Sequence, residues 1–143
     1  MSATVRQMLA GRGAVIAVPP TATIFDALQR MAERNVGAVL VMTGDRLVGI
    51  FTERDYARKV VLRGLSSKST PVGDLMTGNL FTVDRAWTAE QCMALMTEQH
   101  IRHLPVVEGD RVVGVVSIGD VVKSVVDEQH FMIGQLVKYI TQA

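Results

Sequence analysis

The sequence predicts an α+β chain in which one β-α-β-β-α unit occurs twice and is followed by a C-terminal helix. Three observations predict it: an internal repeat at an offset of 65 residues, apolar runs of strand length separated by glycine turns, and an apolar stripe at helical spacing near the end of the chain.

The repeat organises everything else. Shifted by 65 residues, Met31-Ala32-Glu33 falls on Met96-Thr97-Glu98, and Gly44-Asp45-Arg46-Leu47-Val48-Gly49 falls on Gly109-Asp110-Arg111-Val112-Val113-Gly114. Asp55 falls on Asp120, and residues 18–55 carry eleven identities in 38 ungapped positions. Val36/Ile101, Ile50/Val115 and Thr52/Ser117 are conservative pairs. With a small gap near residues 11–13 the match reaches back, so that Thr4-Val5-Arg6-Gln7-Met8-Leu9 resembles Pro71-Val72-Gly73-Asp74-Leu75-Met76. The expected organisation is a first unit over residues 4–64, a second over 70–127 and a helix over 128–143, with a polar linker at 64–70.

Within the first unit, residues 15–18 read as a short strand ended by Pro19-Pro20. Thr23 caps a helix over 24–34 that sets Leu28 and Met31 on one face. The apolar run 38–42 reads as a buried strand, the turn 43–46 folds it back, and 47–51 is its hairpin partner. A second helix starts after Thr52 and runs to about residue 63. The second unit repeats the order: a strand at 80–83, a helix over 88–99, a hairpin of 103–107 with 112–116, and a helix after Ser117. In the tail, Ile133, Leu136, Val137 and Ile140 share one helix face. About sixty residues with a one-sided sheet bury too little core alone. The units are therefore expected to pack face to face with pseudo-two-fold symmetry, and a ligand cleft is expected at their junction.

Composition narrows the function. The 143-residue chain has 15 Lys+Arg against 14 Asp+Glu, a formal charge of +1, which offers no broad attraction to nucleic acid or anionic lipid. The basic stretch from Arg54 to Lys68 is diluted by Glu53 and Asp55. Residues 1–8 lack the basic stretch and apolar core of a secretion signal, and no apolar run approaches the ~20 residues of a membrane helix. A single cysteine, Cys92, makes no intramolecular disulfide and aligns with Ala27 as a small buried hydrophobe. A cytoplasmic protein is expected. The three histidines are dispersed and have no metal-ligand spacing with Cys92. No phosphate-binding Walker loop is present, Gly11-Arg12-Gly13 does not complete a dinucleotide fingerprint, and no nucleophile-base constellation is evident. The expectation is a binding protein with no catalytic residues, no metal and no catalytic cofactor.

The chemistry concentrates at the end of each hairpin, in Gly49-Ile50-Phe51-Thr52-Glu53-Arg54-Asp55 and Gly114-Val115-Val116-Ser117-Ile118-Gly119-Asp120. A carboxylate accepts two hydrogen bonds from a ribose diol, and a helix N-terminus presents free N–H groups to phosphate. Thr-x-x-Asp and Ser-x-x-Asp at a helix start are equally capping arrangements, although the usual box ends in Glu or Gln.

These paired signatures, together with Ile101-Arg102-His103-Leu104-Pro105-Val106-Val107, resemble the tandem CBS motifs named after cystathionine β-synthase; the stretch 51–60 resembles small stand-alone bacterial CBS-pair proteins, or Bateman modules. The first copy departs from the pattern, with Val36-Gly37-Ala38-Val39 lacking the proline and the basic pair. The resemblance covers residues 4 to about 127. It implies a regulatory module that binds AMP, ADP, ATP or NAD, commonly as a homodimer, and acts on a regulated protein in trans. It implies ribose contacts from Asp120, Ser117, Asp55 and Thr52, phosphate contacts from Arg102, His103 and Arg54, and an adenine pocket at Ile101, Pro105, Val36, Ala38 and Thr82. Each has a blander role open to it. Arg102 and His103 read also as solvent-facing strand residues, Ile101 and Pro105 as core, and Arg54, Arg58 and Lys59 as a solvated helix face. Because Arg102 and His103 belong to the second copy, the Asp120 site is the better candidate for AMP. The competing function is a dimeric interaction module with degenerate nucleotide clefts.

Overall fold

The computed structural model describes residues 3–142. They form two compact units, neither contiguous in the chain. One holds Asp55 and comprises Ala14–Phe81 with the hairpin tip Gly109–Val113; the other holds Asp120 and comprises the segment ending at Gly13, Thr82–Glu108 and the chain from Gly114 onward.

In the Asp55 unit, β1 (Ala17–Val18) pairs in parallel with β2 (Ala38–Thr43), which pairs antiparallel with β3 (Arg46–Thr52). The crossover is α2 (Ile24–Arg34). Thr23 and Asp26 close a capping box at its start, and Asn35 ends it in the left-handed conformation at φ 52°. Ile24, Ala27 and Met31 pack on Val39, Val41 and Phe51. Gly44, at φ +59°, makes the tight β2–β3 turn. The helix after β3 begins as α3 (Glu53–Asp55) and widens into π geometry over Tyr56–Val61, seen in the i→i+5 bonds from Leu62 N to Ala57 O and from Leu65 N to Val60 O. The segment after the linker returns to this unit. Val72 is fully buried, and Thr77 exchanges both backbone hydrogen bonds with Ile50 at 3.0 and 2.9 Å.

In the Asp120 unit, α1 (Val5–Leu9) carries a Thr4/Gln7 capping box, and Val5 N–H donates to Trp87 O at 2.8 Å. Helix α4 (Ala89–Gln99) is capped by Thr88 with Gln91 and ends at His100, at φ 56°. Strands β4 (His103–Glu108) and β5 (Arg111–Ser117) form a hairpin, and α5 (Ile118–Gln142) packs on α4. Val5, Ala89, Cys92, Leu104, Val106, Val116 and Val121 are fully buried in this unit.

The mixed α+β class and the twofold occurrence of the motif agree with the sequence reading, with local differences. The strand expected at 15–18 is reduced to Ala17–Val18. At 80–83 only Val83 pairs, with Val106, because Phe81 and Thr82 are exposed. The helix after Thr52 ends at Val61 after its π turn. The expected tail helix is not a separate element: α5 runs unbroken for 25 residues, since no proline interrupts it and Gly134 alone does not end a helix.

Each signature glycine now has a packing reason. A Cβ on Gly114 would lie 2.9 Å from both Leu9 methyl groups, and one on Gly49 would collide with Met76 Sδ and sit 3.1 Å from Thr77 O. The two leading segments matched in the sequence, ending at Leu9 and Met76, thus lie over equivalent glycines, each over the glycine of the unit that holds it.

Candidate functional site

The two Asp signatures fold identically at their cores. Asp55 N–H donates to Thr52 Oγ1 at 3.1 Å, and the Asp55 carboxylate accepts from Thr52 N–H at 3.0 Å. Asp120 N–H donates to Ser117 Oγ at 3.1 Å, and its carboxylate accepts from Ser117 N–H at 2.8 Å. Both are capping boxes with Asp in the place of Glu. The capping role is therefore real, and any ligand role is added to it. The chain also enters both helices the same way: Glu53 N–H donates to Gly37 O at 3.0 Å, and Ile118 N–H to Arg102 O at 2.8 Å, each pair 65 residues from its counterpart.

What the carboxylates meet beyond the cap differs. Asp55 is filled by its own unit. Thr52 Oγ1 donates to it at 3.1 Å, Thr77 Oγ1 at 3.3 Å, and Lys59 Nζ lies 3.2 Å away while also donating to Leu75 O. Its side chain is 13% exposed. Asp120 is held instead by Arg12, whose Nη1 donates to Oδ2 at 3.0 Å and whose Nη2 bonds to Oδ1, while Nη1 also reaches Val115 O at 3.2 Å. Arg12 is 42% exposed and Asp120 21%. Burial acts to raise the Asp120 pKa, but the Arg12 hydrogen bonds, the Ser117 backbone bond and the Arg12 charge outweigh it and hold the carboxyl below its ordinary range. The outcome is an ionised, partly open carboxylate in the first turn of a long helix, clamped by one exposed guanidinium.

The sequence-selected residues distribute around these two points. Ala38 is buried and pairs with Thr52 across β2 and β3. Val36, just before it, is 39% exposed, and Arg54 is exposed in the first turn of α3. In the Asp120 unit, Arg102 supplies its carbonyl to Ile118 while its side chain is exposed. Ile101 and His103 are half-buried; Pro105 is buried, its carbonyl accepting from Val83 N–H at 3.1 Å; and Thr82 is exposed. The structure thus brings Thr52, Asp55 and Ala38 together in one unit, and Ser117, Asp120 and the Arg102 backbone in the other. Sequence reasoning missed Arg12, treating it only as part of an incomplete glycine pattern. A signal was present: Arg12 lies 65 residues before Thr77, and both side chains donate to a signature aspartate. Cys92 is fully buried, and burial pushes its thiol up to about 11. Among the described residues, no cluster of His, Cys, Asp and Glu is placed to hold a metal ion, and no helix is long and apolar enough to cross a membrane.

A duplicated β-α-β-β-α unit with an aspartate box at each hairpin end defines a class, and comparison with known proteins identifies it. The CBS domain family model matches residues 11–62 and again 72–127, and the chain belongs to that family. It is 47% identical over 123 residues to the mitochondrial CBS domain-containing protein CBSX3 of Arabidopsis thaliana, covering 82% of this chain but only 60% of that relative's length. A solved structure of a protein with CBS domains from Burkholderia ambifaria is 46% identical, with a TM-score of 0.83 over 88% of this chain and 96% of that one. The CBS domain protein PAE2072 of Pyrobaculum aerophilum, solved in complex with AMP, is 26% identical, with a TM-score of 0.73 over 82% of this chain and 88% of that one.

Proposed function

We propose that the chain is a regulatory module that binds an adenine nucleotide (AMP, ADP, ATP or NAD) through Asp120 and Ser117 and acts on a partner protein in trans, without catalysis. The observation that carries this reading is the contrast between the two aspartates. Asp55 spends its carboxylate on Thr52, Thr77 and Lys59 of its own unit, whereas the Asp120 carboxylate meets its Ser117 cap and the exposed Arg12. A ribose diol would exchange with Arg12 at Asp120, and the N-terminus of α5 favours a phosphate nearby. Arg102 and His103 are the phosphate candidates on the same unit, with Ile101, Pro105 and Thr82 beside the base. The AMP complex of PAE2072 supports the ligand class. Thr52, Asp55, Arg54, Val36 and Ala38 form the corresponding second site, expected to be the weaker. The reading includes a homodimer and a cytoplasmic location consistent with one buried thiol. Nucleotide regulates a partner only if that partner binds the liganded and free forms differently.

Calorimetry of nucleotide-stripped protein with AMP, ADP, ATP, NAD and S-adenosylmethionine tests the proposal. Saturable binding is expected that disappears in Asp120→Ala and persists in Asp55→Ala, with folding intact in both. Absence of binding below millimolar concentration for every ligand would return both aspartates to capping alone. The saturated Asp55 then favours the second reading, a dimeric interaction module with degenerate nucleotide clefts.

A further inference from the structure

The Asp55 carboxylate is used up inside its own unit. Its Oδ2 accepts from Thr52 N–H at 3.0 Å and from Thr52 Oγ1 at 3.1 Å; its Oδ1 accepts from Thr77 Oγ1 at 3.3 Å and lies 3.2 Å from Lys59 Nζ. A carboxylate offers about four lone-pair positions, and four donors stand at this one. The ammonium is as fully engaged. Its three N–H donors match three oxygens: Asp55 Oδ1, Leu75 O at 3.1 Å and Thr77 Oγ1 at 3.3 Å. The other repeat lacks this cation. Lys59 stands 65 residues before Ser124, a neutral, half-buried residue with no charge to set against Asp120. Lys59 also lies inside the π turn Tyr56–Val61, whereas α5 passes its counterpart as regular α-helix. Such π turns are frequent at functional sites.

We infer that Lys59 is a specificity-determining residue: its ammonium occupies the place of a ribose diol at Asp55 and keeps nucleotide out of that site at concentrations that fill Asp120. The inference rests on the nucleotide reading of the Asp120 site and gives the inequality of the two sites a cause. Ribose hydroxyls reach Asp55 only by displacing donors already there. The Thr52 and Thr77 hydroxyls rotate to suit a new partner, so they yield. The ammonium does not. Its departure separates opposite charges and leaves Leu75 O without its donor, and an uncharged diol brings no charge in exchange. The chain therefore responds to one nucleotide. Lys59 meanwhile ties the helix after β3 to the returning segment 71–77 through Leu75 and Thr77.

The test is calorimetry of the whole, nucleotide-stripped chain with AMP, with ADP, ATP and NAD run beside it. Wild type is expected to bind one AMP per chain. Lys59→Ser, which installs the residue of the other repeat, is expected to bind two. Asp120→Ala should lose the site, and Asp120→Ala/Lys59→Ser should regain one, about tenfold or more tighter than any residual binding of Asp120→Ala. Circular dichroism and thermal melts check the fold. Lys59→Met, which keeps the stem and loses the charge, carries the test if Lys59→Ser does not fold. A purely structural Lys59 would lower the melting temperature and leave the number of sites at one. One site in both neutral variants, no site regained in the double variant, two AMP bound by wild type, or wild-type binding that survives Asp120→Ala would each overturn the inference while leaving a nucleotide site standing. A wild type silent to all four ligands would overturn the nucleotide reading and the inference with it.

Discussion

Replacing Arg12 with alanine removes a guanidinium that donates two hydrogen bonds to the Asp120 carboxylate. The pair is bidentate, and Asp120 is one-fifth exposed, which places it at the strong end for ion pairs; Arg12 is 42% exposed, and solvent screening discounts it. The expected cost is about 1 kcal/mol at pH 7, or a fall of roughly 3–4 °C in melting temperature for a chain of this size. Because Arg12 lowers the Asp120 pKa, the contribution is complete above the unfolded carboxyl value of about 3.9 and disappears as the pH falls through the lower folded value. Urea denaturation of wild type and Arg12→Ala at pH 7, and in steps from pH 5 to pH 2.5, reads both effects. Arg12→Lys retains the charge but not the fork and should fall between them. Equal stability at pH 7, or a wild-type advantage that persists undiminished in acid, would refute the ion-pair argument.

If ribose displaces Arg12, then Arg12→Ala should tighten AMP binding about two- to fivefold, the factor that corresponds to removing a competitor worth up to about 1 kcal/mol; a tenfold loss in calorimetry would make Arg12 part of the site instead. Gly49→Ala should destabilise by about 1–3 kcal/mol and more than Gly114→Ala, because the new methyl meets the Thr77 backbone as well as Met76, whereas at Gly114 the nearest atoms belong to the rotatable end of Leu9; thermal melts rank the two, and the reverse order would contradict the contacts. Cys92, fully buried with its thiol pushed up to about 11, should react with a thiol reagent at pH 8 only at the rate of unfolding; fast labelling of native protein would show that α4 opens.

The parts of the fold legible in the sequence are those written in local chemistry. Thr23 and Thr88 mark helix starts by side chains that reach three residues ahead, and Gly44 and Gly109 mark turns through positive φ. The duplicated Asp55 and Asp120 boxes were legible for the same reason. Arg12 was harder to see, since it meets Asp120 across 108 residues and its only trace in the sequence is the 65-residue offset from Thr77, a residue of different chemistry. The π turn at Tyr56–Val61 left no composition signal, because YARKVV suits an α-helix equally well. The unbroken course of α5 was obscured by reading the family boundary near residue 127 as a structural one.

The return of residues 71–77 to the Asp55 unit, and of the segment ending at Gly13 to the Asp120 unit, means that neither repeat is a self-sufficient stretch of gene. On the ribosome, α1 emerges before the rest of its unit and has no partner from that unit until residues 85–89 follow, a wait of several seconds or more at about 5–20 residues per second. A gene cut at the linker would yield two fragments, each lacking a piece that the other carries. They should regain structure only when expressed together.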